Sequence, residues 1–169
     1  MLDKFFRKHP KKDALPKAAQ APAEHPQVPY DPGLIAALTY QHRALVMQLD
    51  EARNAAQDGA YEEVKDFLEQ FKTALADHMK QESAQLYPYL VAHLKGEDSK
   101  DILKDMRTNS AIIERSVEGF LSHYGGYPVS DVNAERFDIE IEGVTGEFCD
   151  GIEREEASFY TLYMPPESY

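Results

Sequence analysis

The chain has 169 residues, of which 43% are hydrophobic and 28% charged, a balance that suits one globular domain with a real core plus a tail. No apolar run approaches the roughly 18 residues of a membrane span, and no apolar leader opens the chain, so a cytoplasmic location is expected. A net charge of −12 disfavours nucleic acid and anionic membranes as partners, and the lone Cys149 excludes an internal disulfide, as suits a reducing compartment.

Charge and proline divide the chain. Residues 1–26 hold Lys4, Arg7, Lys8, Lys11, Lys12 and Lys17 against Asp3, Asp13 and Glu24, a net of +3 that leaves −15 for the remainder. Six of the ten prolines fall before residue 33, and no apolar periodicity accompanies them. Residues 1–30 therefore read as a flexible, basic, Pro/Ala-rich tail. Residues 31–165 read as the folded domain, and 166–169 as a short C-terminal tail.

Four helices are predicted in that domain. Asp31-Pro32 offers a capping side chain and a proline at the first helical position, followed by Leu34, Leu38, His42, Leu45 and Leu49 at three- and four-residue steps, with Gly59 as a stop. The second helix begins near Tyr61, and its stripe is Val64, Phe67, Phe71, Leu75, His78, Glu82 and Leu86. Pro88 predicts a kink and Gly96 an end. Asp98 or Ser99 is the expected cap of the third, whose stripe is Ile102, Met106, Asn109, Ile113, Ser116 and Phe120, closing at Gly125-Gly126. The fourth carries Phe137, Ile141, Val144, Phe148, Ile152, Glu155, Phe159 and Leu162, with glycines at 143, 146 and 151 that weaken it by roughly 1 kcal/mol each. Residues 137–141 alternate apolar and polar, and taken alone they suit a short strand. Four amphipathic helices with short connections predict an all-α, antiparallel up-down four-helix bundle.

Polar residues interrupt these stripes. His42 sits among leucines, His78 and Glu82 are one turn apart on one face, and Glu155 lies between Ile152 and Phe159. Each alone has an ordinary structural explanation: a hydrogen-bonded core histidine, a surface i,i+4 pair, a solvated charge run at Glu153-Arg154-Glu155-Glu156. Together they do not, because buried carboxylates are costly unless paired or bound to a cation. Two neutral imidazoles and two carboxylates around one divalent metal sum to zero charge, and this N/O set suits iron, with zinc or manganese as alternatives. Glu155 is expected inside the bundle, with Glu153 and Glu156 facing solvent. Other chemistry finds no motif: there are no Glu-x-x-His pairs, phosphate loop, paired cysteines or nucleophile elbow. Cys149 reads as an inert core thiol, and His93 and His123, near helix ends, as structural.

From about Leu34 to Pro165 the chain resembles a hemerythrin-like domain of the HHE cation-binding type. The resemblance rests on His42 in Tyr-Gln-His-Arg-Ala-Leu and, more strongly, on His78-x-x-x-Glu82 followed by Leu86-Tyr87-Pro88. It implies a bundle whose third helix supplies a further histidine and whose fourth repeats His-x-x-x-Glu, and a centre of two irons bridged by glutamates. Here Asn109 stands at the third-helix position and Gly151 at the fourth-helix histidine, while Glu155 keeps the glutamate. The metal-ligand set that the resemblance implies is therefore His42, His78, Glu82 and Glu155, with Asn109 as a weak neutral donor. The expected function is a non-heme, mononuclear iron protein, one metal per chain, in a sensing or stress role rather than in oxygen carriage. The alternative is a metal-free bundle that binds another protein, with protonated His42 and His78 neutralising the two glutamates. An oxidase or peroxide-consuming enzyme is a third reading, which needs open coordination positions.

Overall fold

A computed structural model describes residues 28–169, so the basic segment before Val28 lies outside the described residues. Five α-helices follow in order: α1 (Leu34–Gln57), α2 (Tyr61–Gln81), α3 (Tyr87–His93), α4 (Glu97–Gly126) and α5 (Ala134–Arg154). A π turn, Glu82–Leu86, carries α2 into α3 without a break, and a second, Glu155–Phe159, carries α5 into a 3-10 turn at Tyr160–Leu162. The four resulting rods alternate in direction, α1 packing on α2 and α5, and α4 mainly on α5. This is the all-α bundle that the periodicity predicts, and the alternating segment around Phe137 is an interior turn of α5.

The core is stacked along the bundle axis. At one end Ala52, Val64, Phe120, Tyr124, Phe137 and Ile141 pack together; Leu45, Leu49, Phe71, Leu75, Val117, Phe148 and Ile152 form the middle. At the other end Leu34, Leu38, Leu86, Tyr89, Met106, Phe159 and Tyr163 close the bundle. Each such side chain contributes about 1.5–3 kcal/mol on full burial, so the layers dominate stability. Among the described residues, the buried polar ones are His42, His78, Glu82, Asn109 and Glu155. Their sequence positions set them between the middle and the closing layer.

Helix ends depart from expectation in instructive ways. Asp31 Oδ1 accepts from the Gly33 amide at 2.8 Å, a local turn that uses the capping carboxylate before the helix begins, so α1 starts at Leu34 rather than at Pro32. Its other end closes as expected, with Gly59 at φ 74° and amide bonds from Gly59 to Ala56 and from Ala60 to Ala55. Just before Pro88, where a kink is expected, the helix takes a π turn: the Tyr87 amide bonds five residues back to the Glu82 carbonyl, so the chain shifts its hydrogen-bond register ahead of the proline that cannot donate. The rod ends at His93, not at Gly96. Gly96, at φ 101°, instead turns the chain into α4, which starts at Glu97, ahead of the expected caps.

Described residues of both segments read as tails pack on the bundle. Val28 and Tyr30 pack against the closing layer, and the Tyr30 ring stacks on Tyr163 at 5.1 Å. Residues 166–169, read as a C-terminal tail, return to the bundle because Tyr169 has somewhere to bury its ring. Its hydroxyl donates to the Leu162 carbonyl and accepts from the Met164 amide, and its ring meets Tyr89 and His93. Tyrosines thus pack the bundle end.

Candidate metal centre

Three of the four stripes bring donor side chains together. One donor atom from each of His42, His78, Glu82 and Glu155 can be chosen so that all lie within 4.8 Å of one another, and all four residues are buried. His42 Nε2 is 3.1 Å from His78 Nε2 and 3.6 Å from Glu155 Oε2, while His78 Nε2 is 3.7 Å from Glu82 Oε1. Metal–donor bonds of about 2.0–2.2 Å place adjacent donors roughly 3 Å apart and opposed donors about 4.4 Å apart. The cluster has that scale.

Outer groups orient both rings. His78 Nδ1 donates to Gln41 Oε1 at 2.9 Å, and Gln41 Nε2 in turn donates to Gln81 Oε1 at 2.8 Å. His42 Nδ1 donates to Glu156 Oε1 at 2.9 Å. With each Nδ1–H engaged outward, both Nε2 lone pairs point inward at each other, an arrangement that a cation relieves and a second neutral ring does not. Glu82 is held from both sides: Tyr160 donates to Oε1 at 2.8 Å and Tyr87 to Oε2 at 2.9 Å.

Electrostatics carry the same message. Burial acts to lower the His42 pKa, but hydrogen bonds with Glu155 and Glu156 outweigh it and hold the pKa above the usual value. Burial, then the neighbouring His42, push His78 down to about 3. Burial, then the Glu155 carboxylate, push Glu82 up to about 7. The raised values at His42 and Glu82 mean that protons held there offset carboxylate charge where no cation does. The space beside the donors, bounded by Met79, Ile113 and Phe148, is about 20 Å³, room for an ion or one water-sized ligand.

Two sequence expectations change here. Asn109 does not present its oxygen. Its Nδ2 faces the Gly151 carbonyl and Glu155 Oε1, both at 3.4 Å, and two acceptors require the nitrogen on that side, so Asn109 steadies Glu155 rather than offering a donor atom to the cluster. Glu156 is half-buried against His42 instead of facing solvent, because the π turn rotates it inward; Glu153 is exposed as expected. Glu156, Gln41, Tyr87 and Tyr160 are the contributors that helical periodicity misses. The match of Glu155 to Tyr160 with Glu82 to Tyr87 was the available signal for the tyrosines.

The place of the absent fourth-helix histidine is filled. A Cβ on Gly151 would lie 2.2 Å from Ile113 Cδ1 and 2.7 Å from its Cγ1. Glycine at 151 and isoleucine at 113 are a matched pair that packs this half of the site with hydrocarbon. Away from the site, Cys149 is half-buried rather than in the core, and burial and the nearby Asp50, Glu153 and Asp150 raise its thiol pKa, which disfavours the thiolate. His93 caps its own helix by donating to the Tyr89 carbonyl at 2.9 Å.

A helical bundle with a buried, pre-oriented set of two imidazoles and two carboxylates defines a cation-binding protein. The family model described as the hemerythrin HHE cation binding domain matches residues 33–163, and the chain belongs to that family. The comparisons with curated proteins and with solved structures found no match. No helix among the described residues is long and apolar enough to cross a membrane.

Proposed function

We propose that this domain holds one non-heme iron per chain through His42, His78, Glu82 and Glu155, and that it serves in sensing or stress response. The observation that carries the reading is the pair of histidines whose Nδ1 atoms are engaged outward while their Nε2 atoms, 3.1 Å apart, face two carboxylates. Iron, when bound, would supply reversible one-electron chemistry. The chain's own residues orient the two rings, hold protons that a cation would displace, and line a cavity of about 20 Å³ beside the donors. Two carboxylates balance one divalent ion. A second would need the ligands that Asn109, Ile113 and Gly151 do not provide, which argues against a two-iron oxygen carrier. A cytoplasmic, reducing setting would keep the metal ferrous and Cys149 free.

Anaerobic titration with ferrous iron, followed by metal analysis, should give about one iron per chain, and none after Glu82→Ala or His78→Ala. Zinc and manganese are competed in the same titration to identify the metal. Two irons in the unaltered chain would overturn the mononuclear reading. Creating a second site by Asn109→His and Gly151→His should succeed only with Ile113→Ala added, since Ile113 occupies the space. The metal-free interaction protein, which needs both histidines protonated, is favoured by the raised His42 pKa alone, since His78, pushed down to about 3, is neutral and balances no glutamate. Zero uptake of every metal tested would select it.

A further inference from the structure

The two π turns do the same thing to the residue that follows each of them. In an α-helix a residue five positions on lies about 140° round the axis, off the original face. Across the π turn the Tyr160 amide bonds to the Glu155 carbonyl, and the Tyr87 amide to the Glu82 carbonyl, so each tyrosine is stacked one turn beyond its glutamate and faces the site. The two hydroxyls then diverge. Tyr87 reaches Glu82 Oε2 and Ser110 Oγ, both at 2.9 Å, on the outer side of that carboxylate. Tyr160 reaches inward, to Glu82 Oε1 at 2.8 Å and to His42 Nε2 at 3.2 Å, its ring stacked on the His42 ring at 5.5 Å and 9°.

Resting on the iron reading above, we propose that Tyr160 is a fifth ligand, binding ferric iron through its phenolate oxygen. The distances from its oxygen to two cluster atoms, 2.8 and 3.2 Å, match the roughly 3 Å between adjacent donors on one metal. Tyr160 gives its one hydrogen to Glu82 Oε1, so toward His42 its oxygen can only accept, from the Nε2–H of the protonated ring. A metal at Nε2 takes the place of that proton and leaves the phenol oxygen facing the ion. Tyr87 has no contact with a histidine nitrogen and keeps its outer role on Glu82. Charge favours the assignment in the ferric state: two carboxylates and one phenolate balance three positive charges in a buried site. In the binding step the Tyr160 O–H bond breaks, an oxygen–iron bond forms and the proton leaves to water. The iron is already ferric, so no electron moves.

The test uses the full chain loaded anaerobically with ferrous iron and then oxidised with stoichiometric ferricyanide, read by visible absorption and resonance Raman spectroscopy at measured iron content. The ferric protein should show a phenolate-to-iron charge-transfer band with tyrosine ring modes in resonance. The ferrous protein should lack the band, Tyr160→Phe should lose it and Tyr87→Phe should keep it. A wild-type protein with one ferric iron and no such band overturns the assignment while leaving the iron site standing. So does a band that survives in Tyr160→Phe at equal iron content. If Tyr160→Phe fails to fold or to load, the Tyr87→Phe spectrum decides: band retained supports Tyr160, band lost overturns it. No iron uptake by the unaltered chain overturns the iron reading and this ligand together.

Discussion

His42 and His78 each commit one ring nitrogen to a partner outside the cluster and aim the other inward, and those partners are chemically unequal. Glu156 is a carboxylate that raises the basicity of His42, whereas Gln41 is a neutral amide that only orients His78. Removing such outer partners typically costs 10–100-fold in metal affinity. Glu156→Ala and Gln41→Ala should each weaken ferrous binding by about that range in a competition titration, with helicity unchanged. Unaltered affinity in both would show that the rings need no orientation. The same residues predict a pH dependence. A raised folded-state pKa at His42 means stability that is complete below 6.5 and lost as pH rises through the raised value. Glu82, moved from 4.5 to about 7, favours its protonated folded form, and that contribution is lost as pH rises from about 4.5 to 7. His78 acts in the opposite direction, but between about 3 and 6.5. From pH 6.5 to 8 only the losses remain, so the chelated protein should melt at lower temperature as pH rises, while the metal-loaded protein stays level. A chelated protein that grows more stable over that window would contradict the assigned protonation.

Helix α5 shows how an element can carry residues poor for its own stability because a neighbour requires one of them. Gly143 and Gly146 face open space, and a Cβ at either would touch nothing within 4 Å. Replacing each with alanine should stabilise the bundle by up to about 1 kcal/mol, the helix-propensity gain alone. Gly151 has the same intrinsic cost and the opposite context, with Ile113 against it. Gly151→Ala should destabilise, since overpacking costs about 1–3 kcal/mol and the propensity gain recovers roughly one. In an Ile113→Ala background the sign should reverse. Denaturant melts of the four proteins give the coupling directly, and additive effects would mean that Ile113 moves aside freely. The π turns are the other device at this scale. Each begins at a buried glutamate and ends one residue before a tyrosine that bonds to Glu82. Mid-helix π turns of this kind concentrate at functional sites.

At the scale of the molecule, the acidic bundle is tied together by packing, with polar links at its sides. Arg53 of α1 grips Asp138 through two nitrogens, at 2.7 and 3.1 Å, and Glu142 at 2.8 Å, locking α1 to α5, but at this exposure such a network contributes little. The basic residues before Val28 have no apolar periodicity to dock with, whereas Val28 and Tyr30 do pack. Deleting residues 1–27 should therefore leave the melting temperature within about 5 °C of the full chain, the shift that about 1 kcal/mol produces in a small domain. Extending the deletion through Tyr30 should lower it measurably. A large drop on the shorter deletion would show that the basic segment packs on the bundle.

What the sequence determined by itself follows from helical periodicity: the rods, the buried stripes, and four polar residues that interrupt those stripes at one level. An α-helix repeats every 3.6 residues, so burial of Leu38 and Leu45 commits His42, and burial of Ile152 and Phe159 commits Glu155. The tertiary structure decided whatever breaks that repeat or spans two rods. A π turn adds a residue to one turn and shifts the phase of everything after it, which brings Glu156 and Tyr160 inward against the α-helical expectation. Whether Asn109 offers oxygen or nitrogen depended on two acceptors from another helix, and whether Gly151 left a void depended on Ile113 reaching across to fill it. Neither fact has a local signature, because side-chain direction and interhelical fit are set by neighbours far away in the chain.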